Sequence, residues 1–186
     1  MKINKAETER AIDLEKNIPE IWNYKTFLYI GASKERFHYQ SYLMKNKCCT
    51  DVLEIDKKRC KGLKTLKWLN KIICLDVRDV SISMLPEKYD VVLWSHGPEI
   101  LNKKDIKSTI DKLIAITKNL IVIMTPWGEY RYKEGSLKKK KAIDINVTPL
   151  YENDFSQWGF DVSTIGEKDL AGSNLLAWKY INNRND

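Results

Sequence analysis

The sequence has no run close to the roughly 18 consecutive apolar residues that a membrane-spanning helix requires, so a helical integral membrane protein is not expected. Its first stretch, MKINKAETERAIDLEKN, is charged throughout and has no apolar core of the signal-peptide kind, which points to a cytoplasmic protein. Cysteine is sparse. Cys48, Cys49, Cys60 and Cys74 show neither CxxC nor Cys/His ligand spacing, so reduced thiols are expected and a metal site is not. Cys74 lies within an apolar run and reads as a small buried residue. Histidine occurs only at His38 and His96. No internal repeat or shift of composition marks a boundary. The 186 residues, 43% of them hydrophobic, suit a single domain over 1–186, with residues 1–24 as an N-terminal helical extension.

Charge is what the chain has in quantity. Thirty-two Lys and Arg against 25 Asp and Glu leave a net +7, a mild bias toward anionic partners. Four consecutive lysines, Lys138–Lys141, stand in the longest irregular stretch, 129–146. Segments of that length between regular elements are lids, binding loops or disordered stretches.

Apolar patterning predicts alternating strands and helices. A helix over 5–17 carries Ala6, Ile12 and Leu14 and ends at Asn17 and Pro19. A first strand at Phe27–Ile30 stops at Gly31-Ala32-Ser33, and a periodic segment over 34–46 reads as a helix containing His38. A second strand, Val52-Leu53, ends on Glu54. A basic helix over 56–69 precedes a third strand at Ile72–Leu75, which ends on Asp76. The fourth strand, Tyr89–Trp94, breaks at Ser95-His96-Gly97-Pro98-Glu99. A helix over 103–117 is followed by a fifth strand at Leu120–Met124, then Thr125-Pro126-Trp127-Gly128. A short helix over 150–158 and two strands, 160–165 and 174–181, close the chain with no helix between them. Near-continuous apolar strands suit a parallel sheet covered on both faces. The expected fold is α/β, a doubly wound and mostly parallel seven-stranded sheet with a C-terminal antiparallel hairpin.

The first βαβ unit is suited to a nucleotide-like ligand. Small residues at its turn let the backbone approach the ligand, and an acid at the tip of the second strand accepts hydrogen bonds from ribose hydroxyls. Glu54 stands 23 positions after Gly31, close to the spacing of about 20 expected for that pairing. His96, just past the fourth strand, has a side chain suited to accepting a proton near neutral pH, or else caps backbone groups in its loop. Glu99 either faces a substrate or caps the next helix. His38 reads as a packing residue, and the tryptophans at element ends as core filling or stacking groups.

These motifs together resemble the class I S-adenosylmethionine-dependent methyltransferases over roughly Lys25 to Tyr180. FLYIGAS is similar to the family's first-strand glycine motif, VLEID to its second-strand acid motif and LDVRD to its third-strand motif. YDVVLWSHGPEIL resembles the fourth-strand motif beside the reacting centre, and TPWG with LYENDFSQWGFDV resembles the run into the terminal hairpin. The resemblance implies an enzyme that binds S-adenosylmethionine and releases S-adenosylhomocysteine. It implies a cofactor lining of Gly31, Ala32, Ser33, Glu54, Ile55, Asp76, Val77 and Ser95; beside it His96 is the candidate catalytic base, and Glu99 and Trp127 are the candidate acceptor-side residues. No metal is required. The chain departs from the pattern in having one glycine, Gly31, at the first turn, and in having Tyr29 near the usual place of an acid.

The acceptor expected is a small molecule, and no membrane partner is expected. The alternatives are a non-catalytic member of the fold that binds cofactor or a partner, favoured by the thinned glycine motif, and an RNA methyltransferase using Lys138–Lys141. A nicotinamide-dependent oxidoreductase ranks last, because it would need more of the GxGxxG fingerprint and leaves the closing hairpin unexplained.

Overall fold

The computed structural model describes residues 5–85, 87–129, 148–166 and 173–181, with side chains from Arg10 onward. The Lys138–Lys141 run lies outside the described residues. Among those residues seven strands form one sheet: β1 (Thr26–Ile30), β2 (Cys49–Glu54), β3 (Lys71–Cys74), β4 (Tyr89–Ser95), β5 (Thr117–Pro126), β6 (Asp161–Ile165) and β7 (Asn174–Tyr180). Their order across the sheet is β3-β2-β1-β4-β5-β7-β6. The first five are parallel, and β7 runs antiparallel to both β5 and β6. This is the doubly wound sheet with a closing hairpin that the apolar runs predict.

Alternation within each strand divides the core. Phe27 and Tyr29 of β1 join Val91 and Leu93 of β4 on one face, under the helices α1 (Lys5–Asn17) and α2 (Gln40–Lys45). Leu63 of α3 (Lys57–Leu63) packs on the same face. Leu28, Ile30, Val92 and Trp94 face the other way, against α4 (Lys103–Ala115) and Phe155 of α5 (Glu152–Ser156). Both faces are covered, so the central strands are apolar at every position rather than every second one. On α4 the buried residues Ile106, Ile110 and Leu113 follow i, i+4, i+7 spacing, and each contributes about 1.5–3 kcal/mol by leaving water.

Four local expectations are corrected. The helix read over 34–46 forms only at Gln40–Lys45. Ser33–Arg36 is instead a tight turn, with Arg36 N donating to the Ser33 carbonyl at 3.1 Å and to Ser33 Oγ at 3.1 Å. Tyr39, at φ +66°, then separates His38 from the helix. This detour seats Phe37 between Tyr29 (4.5 Å between ring centroids) and Trp68 (5.1 Å), apolar burial that outweighs continued helix. α3 likewise ends at Leu63, and the following turns carry Leu66, Trp68 and Leu69 back against the core. In α1 the buried stripe is Ala11 and Leu14, continued by Ile18 just past the helix, while Ile12 is 55% exposed. Cys74 is exposed rather than buried, because β3 is an edge strand whose outer flank meets solvent. No helix among the described residues is long and apolar enough to cross a membrane.

Candidate active site

In this sheet the strand order reverses between β1 and β4, and the crevice outside the carboxyl ends of those strands is where open α/β sheets bind ligands. Gly31 leaves β1 at φ +84°, a left-handed conformation that costs a residue with a Cβ about 1–2 kcal/mol. Its N–H donates to the Leu53 carbonyl at 2.9 Å, which ties the turn to the tip of β2. A Cβ on Gly31 would lie 3.5 Å from the Ser95 carbonyl, so the turn also borders the end of β4. Ala32 is fully buried behind it, and Ser33 anchors the tight turn that follows.

Along the same edge, β2 presents Glu54, whose side chain is 1% exposed. Oε1 accepts from the Asp56 N–H at 2.8 Å and lies 3.9 Å from Arg59 Nη1. Ile55 next to it is exposed, an apolar surface beside a buried carboxylate. Leu75 N donates to the Glu54 carbonyl, which brings the end of β3 alongside. There Asp76 caps a one-turn 3₁₀ helix that begins at Val77, accepting from Arg78 N at 2.9 Å and from the Arg78 guanidinium at 2.6 Å. Those bonds to Arg78 hold the Asp76 carboxyl below its ordinary range. Asp76, Glu54, Gly31 and Ser95 thus follow one another along the sheet edge.

The fourth-strand end carries the densest chemistry. His96 has φ +55°, uncommon outside glycine, and its N–H donates to the Met124 carbonyl at 2.7 Å. Gly97 lets the loop pass over the Trp94 indole, since a Cβ there would come within 1.9 Å of Trp94 Nε1. The chain then turns through Pro98–Ile100, placing the buried Glu99 carboxylate 3.7 Å from His96 Nδ1. Glu99 Oε2 accepts from Thr125 Oγ1 of β5 at 2.9 Å. His96 Nε2 and the hydroxyl of Ser95, itself 2% exposed, are buried with no hydrogen-bond partner. Groups of that kind carry a desolvation cost and favour a polar ligand.

Trp127 lies further along the edge. Its Nε1 donates to Glu152 Oε2 at 2.9 Å, and its ring meets Tyr151 edge-on at 5.3 Å. The structure therefore brings Gly31, Glu54, Ser95, His96 and Glu99 around the β1/β4 crevice, with Asp76 at one flank and Trp127 at the other. A groove of about 440 Å³ lined by Met44, Cys49, Trp68 and Asn70 lies at the opposite end, where β2 and β3 begin, away from this chemistry.

Two residues join the site that sequence reasoning did not assign to it. His38, freed from the helix, sets its ring 5.4 Å from that of His96 between centroids. Arg10 of α1 sets Nη1 within hydrogen-bond reach of both His38 ring nitrogens, closer to Nδ1 and 3.3 Å from Nε2. Burial first, then the nearby Arg10, His96 and Arg36, lowers the His38 pKa to about 3. The only sequence signal for this pair is that the chain's two histidines both follow strand ends. Among the described residues no group of three or more His, Cys, Asp or Glu is placed to hold a metal ion.

No family model matches the sequence, and no curated protein matches it at a significant level. Solved structures do match. The plantazolicin methyltransferase BpumL, in complex with SAH, superposes with a TM-score of 0.68 at 14% identity, over 96% of this chain and 84% of that one. The N-methyltransferase NodS from Bradyrhizobium japonicum WM9 gives 0.63 at 11% identity, over 96% and 98%. The magnesium protoporphyrin IX methyltransferase ChlM from Synechocystis PCC 6803, with bound SAH, gives 0.61 at 12% identity, over 98% and 89%. At such identities the shared property is the architecture: this chain has the fold of the S-adenosylmethionine-dependent methyltransferases of class I.

Proposed function

We propose that the chain is a methyltransferase that moves a methyl group from S-adenosylmethionine to a small-molecule hydroxyl or amine, working as one cytoplasmic unit over 1–186. The observation that carries this reading is the β1/β4 crevice, where the left-handed Gly31 turn borders Ser95 and His96 with two partnerless buried polar atoms. The methyltransferases of like fold, two of them solved with SAH, support the same cofactor.

Gly31, Ala32 and Ser33 would let backbone approach the cofactor, Glu54 would accept from the ribose hydroxyls, and Ile55, Asp76 and Val77 would flank the adenine. Bound S-adenosylmethionine supplies a methyl group on a positively charged sulfur, which leaves as a neutral thioether when a nucleophile attacks in line. The protein's part is alignment and removal of one proton. His96 is the base. Glu99 lies on its Nδ1 side, so Nε2 is the nitrogen that receives the acceptor's proton, and Thr125 keeps the Glu99 carboxylate in place. As His96 becomes cationic, the buried carboxylate 3.7 Å away stabilises it. Trp127 offers an apolar face at the acceptor flank.

Transfer of isotopically labelled methyl from S-adenosylmethionine to a panel of small hydroxyl and amine acceptors tests the reading. Labelled product is expected from wild type, with His96→Asn slower by about 10²–10⁴-fold and its affinity for S-adenosylhomocysteine kept. Transfer by His96→Asn at the wild-type rate would remove His96 as the base. Transfer to RNA in place of small molecules would favour the Lys138–Lys141 alternative.

A further inference from the structure

We propose that Arg10 and His38 form a positioning pair for His96: Arg10, carried by the N-terminal helix, keeps the His38 ring uncharged against the His96 ring, so that His96 alone takes up the acceptor's proton. This rests on the reading of His96 as the base. It adds a role for α1, which the motifs of the sequence leave outside the site.

The argument begins with donors and acceptors. A guanidinium has only donors and keeps its charge at any accessible pH, so the His38 nitrogen that meets it must offer a lone pair. Arg10 Nη1 lies within hydrogen-bond reach of both His38 ring nitrogens, closer to Nδ1 and 3.3 Å from Nε2, so whichever nitrogen accepts, neutral His38 is the form that fits. A second ring proton would remove the lone pair that meets Arg10 and set two cations together. Arg36 in the adjoining turn and the His96 ring are the other groups of cationic potential facing His38. Among the described residues no carboxylate stands among the charges that act on it.

His96 has the opposite surroundings. Its Nδ1 faces the buried Glu99 carboxylate, and the ring that abuts it, His38, is held neutral. Two imidazoles 5.4 Å apart do not both become cationic at little cost. With Arg10 on one and Glu99 on the other, the proton has one destination. The lone pair it leaves on the acceptor forms the bond to the methyl carbon. Three elements distant in sequence, α1, the turn before α2 and the end of β4, thereby act on a single nitrogen.

Because the chain has only two histidines, proton NMR of the imidazole Cε1–H signals resolves the pair directly. The His38 and His96 resonances, assigned with His38→Gln and His96→Asn, are followed from pH 4 to 9 in wild type, Arg10→Ala and Arg10→Lys. In wild type the His38 signal is expected to remain at its neutral position down to about pH 5. In Arg10→Ala the His38 midpoint should rise by about one pH unit or more. Arg10→Lys, which keeps charge but loses the planar fork, should lie between. A wild-type His38 titrating near the ordinary value of about 6.5 overturns the pair. So does an Arg10→Ala variant in which the His38 midpoint does not move. Should Arg10→Ala not fold, the wild-type and Arg10→Lys curves still decide. The titration needs neither cofactor nor acceptor, so failure of the pair and failure of the methyl-transfer reading are separate observations.

Discussion

His96 combines a left-handed backbone, a buried carboxylate at one nitrogen and a partnerless buried second nitrogen. Backbone conformations of this kind cost about 1–3 kcal/mol and persist where the surroundings over-determine them. Here the Met124 carbonyl and the Gly97–Trp94 contact do so. At this scale Glu54 has the clearest binding consequence. On the proposed reading Glu54 accepts from the ribose hydroxyls, so replacing it by Ala should lower calorimetric affinity for S-adenosylhomocysteine by about 1.5–3 kcal/mol. Unchanged affinity would take Glu54 out of the site. His38 has a consequence for stability. Its pKa is about 3 in the folded chain, against about 6.5 unfolded. The unfolded chain therefore binds the extra proton between those values. His38's contribution is complete above about pH 6.5 and is lost as pH falls toward 3, by at most about 1.4 kcal/mol per pH unit. Denaturant titrations from pH 7 to 4 should show this slope in wild type and a flatter one in His38→Gln. Parallel curves for the two would contradict it.

At the scale of elements, the loop after β4 depends on Gly97 for space rather than for φ, since its backbone is at −141°. Gly97→Ala should displace Trp94, a fully buried side chain, and destabilise the fold by about 1–3 kcal/mol. For a chain of this size that lowers the melting temperature by about 2–4 °C for each kcal/mol. A melting temperature equal to wild type would mean the loop has room the structure does not show. On α4, Ile110→Ala removes a fully buried side chain and should cost about 2–5 kcal/mol in chemical denaturation, with no change in cofactor stoichiometry. A loss under 1 kcal/mol would contradict the packing of α4 against the sheet. The strands and α4 were legible because their signal is local: a continuous apolar run, or an apolar residue at each helical turn. The ends of α2 and α3 were not. Phe37 and Trp68 carry the periodicity of a helix in sequence, yet each is drawn off its helix by an aromatic cluster built from distant residues. The partners of His38 are invisible in sequence for the same reason, since Arg10 and His96 lie 28 positions before and 58 positions after it.

At the scale of the molecule, the switch between β1 and β4 converts five parallel strands into one crevice. The order β3-β2-β1-β4-β5 sets the Asp76, Glu54, Gly31, Ser95 and Trp127 positions along it in that succession. Alternation of strand and helix implied the doubly wound class, but strand order is a matter of long-range pairing and leaves no mark on spacing. The hairpin lacking a helix between β6 and β7 was the exception, because two strands that close in sequence pair antiparallel. α1 then covers one face of the sheet and carries Arg10 to His38, beside the end of β4.

The central claim is that this crevice takes S-adenosylmethionine, and calorimetric titration of the purified protein with S-adenosylhomocysteine, with NADH as control, tests it most directly. The account predicts saturable one-to-one binding of S-adenosylhomocysteine and no heat of binding from NADH. Absence of S-adenosylhomocysteine binding, or saturable binding of NADH in its place, would contradict it.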